Sequence, residues 1–257
     1  MRDHGLQEAI QAAGGIGELA RRLGISQPSV SNWERIPAER VLAVEQATGV
    51  ARALLRPDLF AAAPGETLDE VDAARAREYA LLSTLLGRSP DTALLHRLSR
   101  LSGDATPLGL AHAALGEAAE RAAVAEVGRE YFDLFVGLGR GELLPYASYY
   151  LTGFLYERPL ARLRGDLKRL GIEAAPAQSE PEDHAAILCE IMAALIGKET
   201  TAAAGADQEI FEKHLAPWIS RFFSDLERSP TAHFYACVGA LGRTFIEIET
   251  EAYALPA

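Results

Sequence analysis

The feature that most constrains this chain is a break in its apolar pattern at residues 61–66, Ala-Ala-Ala-Pro-Gly-Glu. Proline and glycine both interrupt a helix, and the composition changes on either side of them. We therefore predict two domains, residues 1–60 and 72–257, joined by a linker at 61–71. With 257 residues the chain is long enough for two such units.

The charge is divided as unevenly as the length. Residues 1–60 hold seven Lys/Arg and seven Asp/Glu, and the remainder of the chain holds 18 Lys/Arg and 29 Asp/Glu. The whole net charge of −11 therefore lies after residue 60. This asymmetry favours two units with different partners.

Composition and periodicity predict an all-α fold, a small N-terminal domain followed by a larger helical one. Ala and Leu dominate, β-branched and aromatic residues are sparse, and no alternating strand pattern is visible. The N-terminal helices are predicted at Leu6–Ala13, Ile16–Leu23, from Ser26, and at Pro37–Thr48. The later ones are predicted at Val71–Leu86, Ala113–Leu138, Pro145–Glu157, Pro159–Leu170, Glu182–Ile196, Asp207–His214, Pro217–Leu226 and Thr231–Tyr253, with a loop at 174–179.

Several features predict a cytoplasmic protein without membrane insertion. Cys189 and Cys237 are far apart in helical patterns, so a structural disulfide is not expected. The N-terminus is polar and lacks the apolar core of a signal peptide. The longest uncharged apolar run, Leu143–Tyr156, is too short for a membrane span and contains Ser, Thr and Gly.

The sequence offers no pattern for catalysis, so we predict a protein that is not an enzyme and uses no metal or cofactor. Gly137–Glu142 has Glu142 where a dinucleotide loop needs its third glycine. His184 and Cys189 are five residues apart, about 140° from each other around a helix. No CxxC, HExxH or nucleophile motif occurs.

The first domain carries the spacing of a helix-turn-helix. Ala20 and Gly24 are small where two helices would approach and turn, and the apolar positions around them are Leu19, Leu23, Ile25, Val30 and Trp33. This pattern resembles phage-repressor and Cro-like proteins, including the YdaS-type antitoxin relatives. The resemblance implies that the second helix contacts DNA bases through Gln27, Ser29, Ser31 and Asn32, with phosphate contacts from Arg21, Arg22 and Arg35. The alternative is a module that binds protein or no longer binds DNA, because a net charge of zero supplies little non-specific affinity.

Three short motifs follow one another in the second domain: Tyr-Ala-Ser-Tyr-Tyr at 146–150, Glu-Pro-Glu-Asp-His at 180–184, and His-Leu-Ala-Pro-Trp at 214–218. An aromatic segment at 130–137 precedes them. In this order and spacing they resemble the TorD/DmsD family of molybdoenzyme maturation chaperones, over residues 72–257. The chain departs from the common family pattern at Ala147, where an acidic residue is frequent, and at 139–142, which lacks prolines.

The resemblance implies a chaperone that binds an apo-molybdoenzyme and its twin-arginine signal peptide before cofactor insertion and export. Residues 150–155 are similar to the branch associated with formate dehydrogenases, which makes such an enzyme the expected client. The peptide-binding residues implied by the motifs and their surroundings are Glu142, Tyr146, Ser148, Tyr149, Tyr150, Glu157, Glu180, Pro181, Glu182, Asp183 and His184.

Other interpretations of these residues stay open on sequence alone. Residues 180–183 could simply start a helix, with Pro181 in its first turn and Asp183 as a cap. The three motif tyrosines could be half-buried aromatics, and Trp218 is expected in the core. A different functional class is also open: a DNA-binding transcriptional regulator whose second domain senses a client or its peptide. A homodimer is compatible with either function.

Overall fold

The computed structural model describes residues 3–50, 52–56, 69–173, 180–200 and 202–255. Contacts divide the chain into two compact units, Met1–Thr67 and Leu68–Ala257. Most of the predicted linker (61–68) and the predicted loop at 174–179 lie outside the described residues. The prediction of an all-α fold is confirmed, since the described residues form helices and a single isolated β-bridge between Tyr146 and His184.

The N-terminal unit is built from short helices around a small apolar core. The Ser26 side chain accepts a hydrogen bond from the Ser29 N–H and so caps the third helix, as predicted. Gly49 ends the fourth helix in the left-handed conformation, with a φ of 74°. The helices are α1 (His4–Ala13), α2 (Ile16–Arg22), α3 (Gln27–Ser31), α4 (Val41–Thr48) and α5 (Arg52–Leu55), with a 3₁₀ turn at Ala38–Arg40.

The C-terminal unit consists of longer helices and two π-helical turns. The helices before residue 174 are α6 (Glu70–Gly87), α7 (Thr92–Leu98), α8 (Pro107–Arg121), α9 (Val124–Tyr131), α10 (Ala147–Thr152) and α11 (Arg158–Arg169). Those after residue 180 are α12 (Ala185–Ile196), α13 (Ala206–Ile210), α14 (Ile219–Arg228) and α15 (Phe234–Tyr253). The π-helical turns are Phe132–Val136 and Phe211–Leu215.

Two helix pairs form most of the core of this unit: α6 packs along α12, and α14 packs along α15. The second pair approaches closely because α15 has Gly242 opposite Phe223, where a Cβ atom would overlap the phenyl ring. Phe222 and Tyr235 are fully buried; Phe222 packs against Tyr150, and Tyr235 packs against Tyr131. Aromatic packing therefore positions both helices of this pair.

The predicted helix Ala113–Leu138 is wrong as a single element. It is divided between α8 and α9 by Ala122 and Ala123, which have extended backbones. Alanine favours helix, so local propensity does not explain the break. Tertiary contacts do: the Glu130 carboxylate on α9 accepts hydrogen bonds from three backbone N–H groups at 233–235, where α15 starts. Reorientation of α9 satisfies N–H groups that a helix start leaves unpaired.

None of the described helices is long and apolar enough to cross a membrane.

Candidate functional site

The first two motifs are joined through their backbones. Ala147 donates its N–H to the Asp183 carbonyl oxygen at 3.0 Å, and Ala185 donates to the Pro145 carbonyl at 2.8 Å. These bonds form the isolated bridge at Tyr146 and His184. Two segments some 35 residues apart in sequence therefore start α10 and α12 side by side.

Asp183 and Ser148 connect these segments a second time, below the surface. The Asp183 carboxylate accepts from the Ser148 N–H at 2.9 Å and from the Ser148 hydroxyl. Both residues are buried, and Asp183 is only 1% exposed. Their polar atoms are used inside the unit, and direct contact of these two residues with a peptide stays a prediction. Buried carboxylates of this kind stabilise a fold when every partner is in place.

His184 is the N-cap of α12, which corrects the predicted helix start at Glu182. Its Nδ1 accepts a hydrogen bond from the Ala186 N–H at 3.0 Å, so that nitrogen carries no proton. Burial lowers the pKa of His184, although the nearby carboxylates of Glu180 and Asp183 raise it. The Tyr146 ring packs edge-on against the imidazole, 5.0 Å between centroids. His184 is thus a neutral structural cap and not an exposed ligand.

The Tyr146 hydroxyl donates to the exposed Glu180 at 2.7 Å. Burial, followed by this bond, raises the pKa of Tyr146 above the usual range of tyrosine. The intervening Pro181 accepts from the His184 N–H in a tight turn, so residues 180–184 are held as one rigid bend.

Tyr150 brings the third motif into the same place. Its ring lies 5.4 Å from that of Trp218, and its hydroxyl donates to Asp225 on α14 at 3.1 Å. Trp218 is buried, as expected, and its indole N–H donates to the His214 carbonyl. His214 is buried too and pairs through Nε2 with Asp166 on α11 at 2.8 Å. The first motif therefore forms most of the short helix α10, and the other two motifs contact it.

The remaining predicted residues are at the surface, but most are engaged by neighbours. Glu182 pairs with Arg164 at 2.8 Å, and Glu142 accepts from the Ser229 hydroxyl. Tyr149 is half-buried beneath the Arg140 guanidinium, which lies 5.7 Å from the ring centre. Glu157 is exposed and has no ion-pair or hydrogen-bond partner among the described side chains.

Two grooves flank α10. The Tyr149 groove, a cavity of about 340 Å³, is lined by Glu142, Leu143, Leu144, Tyr149, Tyr150, Leu151, Gly153, Arg221 and Asp225. The His214 groove, about 410 Å³, is lined by Ala147, Leu151, Pro159, Ala161, Arg162, Leu163, Gly165, Asp166, Asp183, Lys213 and His214. Leu151 lines both and is 44% exposed. Larger cavities of about 550 and 850 Å³ elsewhere contain none of the predicted site residues.

Sequence reasoning missed Leu151, Arg221 and Asp225. Leu151 follows the first motif directly, and a helical projection of 146–151 would have found it. Arg221 and Asp225 lie on α14, some 75 residues further along the chain, and no local pattern connects them with Tyr150.

The predicted DNA-contacting residues are all exposed on the N-terminal unit. Val30 is buried in the core, and the side chains predicted to contact DNA are exposed: Gln27, Ser29, Ser31, Asn32, Arg35, Arg21 and Arg22. The arginines have intramolecular partners. Arg21 and Arg22 both pair with Glu18, and Arg35 pairs with Asp3 at 3.2 Å. A phosphate would have to compete with these carboxylates.

Comparisons with known proteins match the two units to two different families. Residues 102–224 match the family described as nitrate reductase delta subunit, and residues 6–64 match bacterial toxin YdaS. A chaperone protein TorD from Vibrio cholerae serotype O1 is 28% identical over 131 residues, which are 48% of this chain and 60% of that protein. TorD from Shewanella loihica is 26% identical over 202 residues, 70% of this chain and 92% of that protein. The C-terminal unit is TorD-like, and the N-terminal unit is YdaS-like.

The resemblance predicted from the three motifs is thus confirmed at the level of the family. The chain spans about three fifths of the length of the Vibrio TorD proteins that it matches. A solved structure from Archaeoglobus fulgidus, assigned to redox enzyme maturation, superposes with a TM-score of 0.46 at 19% identity, over 67% of this chain and 93% of that one.

Within the described residues, no group of three or more His, Cys, Asp or Glu side chains is arranged to hold a metal ion. Most polar side chains of the TorD-like site have partners within the unit. The two grooves on either side of α10 combine apolar and aromatic side chains with charged ones such as Arg221 and Lys213.

Proposed function

We propose that the TorD-like unit is a chaperone for the maturation of a molybdoenzyme and holds the signal peptide of that client in the grooves that flank α10. The observation that carries the proposal is the convergence of all three motifs on this helix, each through direct contacts. The similarity to TorD chaperones supports the same function. A formate dehydrogenase stays our predicted client.

The grooves suit the apolar part of a signal peptide better than its basic part. Leu151 is shared by both, and Tyr149 and Pro159 extend the apolar surface on either side. The basic residues of the peptide need carboxylates. Asp183 is buried, and Glu182 is paired with Arg164. The exposed predicted carboxylates are Glu142, Glu157 and Glu180, and these are the candidates that remain.

Substitution of Leu151 tests the site. We expect Leu151→Asp in the full chain to weaken binding of a synthetic peptide with two arginines and an apolar segment at least about tenfold, or ~1.4 kcal/mol. A buried charge in either groove opposes an apolar ligand. Fluorescence anisotropy of the labelled peptide gives the affinity, and a thermal melt verifies the fold.

Leu110→Asp is the matched control, because Leu110 is 60% exposed on α8 and lines neither groove. If both variants bind as tightly as the wild type, the grooves do not hold the peptide. If no peptide of this class binds the wild-type protein, the chaperone proposal itself fails.

A second candidate function rests on the N-terminal unit. Four polar side chains project from α3 and its end without contributing to the core, and amide and hydroxyl groups of this kind pair with base edges in the major groove. We propose that this unit binds DNA, so that the protein regulates transcription according to the state of its client.

Selection of bound genomic fragments with purified protein tests this second function. We expect one enriched sequence, and we expect Gln27→Ala and Asn32→Ala each to cost about 1–3 kcal/mol of specific affinity. Recovery of unenriched fragments alone would mean that the YdaS-like unit does not read DNA sequence.

A further inference from the structure

The turn between α10 and α11 exposes large apolar side chains. All residues from 151 to 158 are exposed, among them Phe154 at 69% and Tyr156 at 73%, with Leu155 between them. The Thr152 hydroxyl accepts from the Phe154 N–H at 3.2 Å and fixes the turn. We refer to Phe154–Tyr156 as the apolar turn.

Tyr156 occupies the left-handed region of backbone space, with a φ of 60°. Glycine and asparagine adopt this conformation at low cost, whereas a bulky aromatic residue seldom does. The chain nevertheless places an aromatic side chain there and leaves it in solvent. Strain and apolar exposure at the same residue are features of surfaces that bind something.

Positive charge accompanies the apolar turn in an otherwise acidic chain. Residues 151–172 contain five Lys/Arg against two Asp/Glu, whereas the whole chain has a net charge of −11. Arg158 and Arg162 lie one helical turn apart on the exposed face of α11 and have no ion-pair partner among the described residues. The opposite face of α11 is anchored in the core through Leu160, Leu163 and Leu167.

We propose that the apolar turn, with Arg158 and Arg162, docks the protein onto the surface of a bilayer that contains anionic lipid. Phenylalanine, leucine and tyrosine suit the boundary between head groups and acyl chains, and guanidinium groups pair with lipid phosphates. The contact is peripheral, since no described helix could cross a membrane. The docking surface borders the proposed peptide site, since Arg162 also lines the His214 groove, but a bilayer contact needs no bound peptide.

The shape of the segment favours a bilayer over a bound peptide. Residues 151–158 are all exposed, and such a run can enter a soft interface but does not enclose an extended chain. The concave surfaces nearby are the two grooves, and the apolar turn lines neither of them. Glu157 is the single acidic residue between 151 and 158, so it offsets only part of the attraction.

Co-sedimentation of the full chain with vesicles tests the proposal. One set of vesicles contains equal parts of phosphatidylglycerol and phosphatidylcholine, and the other contains phosphatidylcholine alone. We expect binding to the anionic vesicles that falls as salt rises. Phe154→Ser with Tyr156→Ser, and separately Arg158→Glu with Arg162→Glu, should each lower the partition coefficient at least about tenfold.

Matched controls have the same chemistry elsewhere on the surface. Val71→Ser with Leu110→Ser removes exposed apolar groups, and Arg97→Glu with Arg100→Glu makes the same charge change on and after α7. Both should bind as the wild type does. In addition, the fluorescence of Tyr156→Trp should be quenched by brominated lipid more strongly than that of the wild type, whose tryptophans are the buried Trp218 and the partly buried Trp33 of the N-terminal unit.

Three results would overturn the proposal. The first is a wild-type protein that stays in the supernatant with anionic vesicles. The second is binding by both pairs of turn variants that equals binding by the controls. The third is self-association in sedimentation velocity that the turn variants abolish, which would identify the surface as a contact between two copies. Because no peptide is present in the vesicle assay, none of these results bears on the chaperone proposal.

Discussion

Asp183 connects the first two motifs from inside the TorD-like unit. Its carboxylate is buried and accepts both hydrogen bonds that Ser148 donates. Asp183→Asn replaces the carboxylate with an amide. In one of its two orientations the amide turns its NH₂ group, which cannot accept a hydrogen bond, toward the two Ser148 donors. We expect a loss of about 1.5–3 kcal/mol of unfolding free energy, measured by urea denaturation.

Glu157→Gln is the comparison for Asp183→Asn. Glu157 is exposed and has no partner among the described side chains, so its substitution should change stability by less than about 0.5 kcal/mol. An Asp183→Asn protein that is as stable as the wild type but no longer binds peptide would show that Asp183 is a ligand contact, as the sequence predicted.

His184 gives the TorD-like unit a pH dependence of known sign. Burial lowers its pKa below 6.5, so the unfolded chain takes up a proton at a higher pH than the folded one does. The free energy of unfolding therefore decreases as the pH falls below 6.5, and this decrease ends once the pH is below the pKa of His184 in the folded state. The protonated ring would also lose the bond from the Ala186 N–H. His184→Asn keeps an acceptor at the cap and should flatten the decline in stability between pH 7 and 5.

His112 provides the contrast for His184. Glu78 bonds to it at 2.9 Å and raises the pKa of His112, although burial opposes this. The stability that His112 contributes is present below pH 6.5 and is lost as the pH rises through the pKa of His112 in the folded state. His112→Gln should therefore steepen the acid decline that His184→Asn flattens. Unfolding curves with the same pH slope for all three proteins would contradict both assignments.

At the scale of elements, the sequence predicted helix starts and stops well where a single residue determines them. Ser26 caps α3, and Gly49 terminates α4 in the left-handed conformation that glycine favours. The break between α8 and α9 could not be predicted, because Ala122 and Ala123 favour helix and the cause lies about 100 residues away at the start of α15. The motifs identified the residues around α10, but not which of them are buried.

Helix α2 contains a charge arrangement that bears on DNA binding. Glu18 pairs with both Arg21 and Arg22, and these bonds lower the pKa of Glu18 to about 2, with the Arg21 hydrogen bond as the largest cause. Glu18→Gln releases both arginines. If they contact phosphates, DNA affinity should rise and the slope of log affinity against log salt should steepen by up to about 2.

Glu8→Gln on α1 makes the same change in net charge away from the helix-turn-helix, and we expect a smaller effect. Electrophoretic mobility shifts over a range of salt concentrations measure both variants. An unchanged slope in Glu18→Gln would show that Arg21 and Arg22 do not contact the phosphate backbone.

At the scale of the whole molecule, the two units have separate apolar cores. The first is centred on Leu6, Leu19 and Val30, and the second contains buried aromatic residues such as Tyr79 and Phe222. Their charges differ as well, since the net charge of −11 lies after residue 60. Composition and the Pro-Gly break can predict a division into domains, because separate cores and separate charge are properties of long stretches and not of single contacts.

The division predicts that residues 69–257 fold and function alone. Because the larger core lies entirely within this fragment, we expect a helical circular dichroism spectrum, cooperative unfolding, and the peptide affinity of the full chain. Calorimetry of the full chain should resolve a second transition from the small unit, whose core is marginal for its length. An insoluble fragment would contradict the division into domains. A folded fragment that binds peptide more weakly would show that the YdaS-like unit contributes to client binding, which would favour a regulator whose DNA-binding module responds to its client.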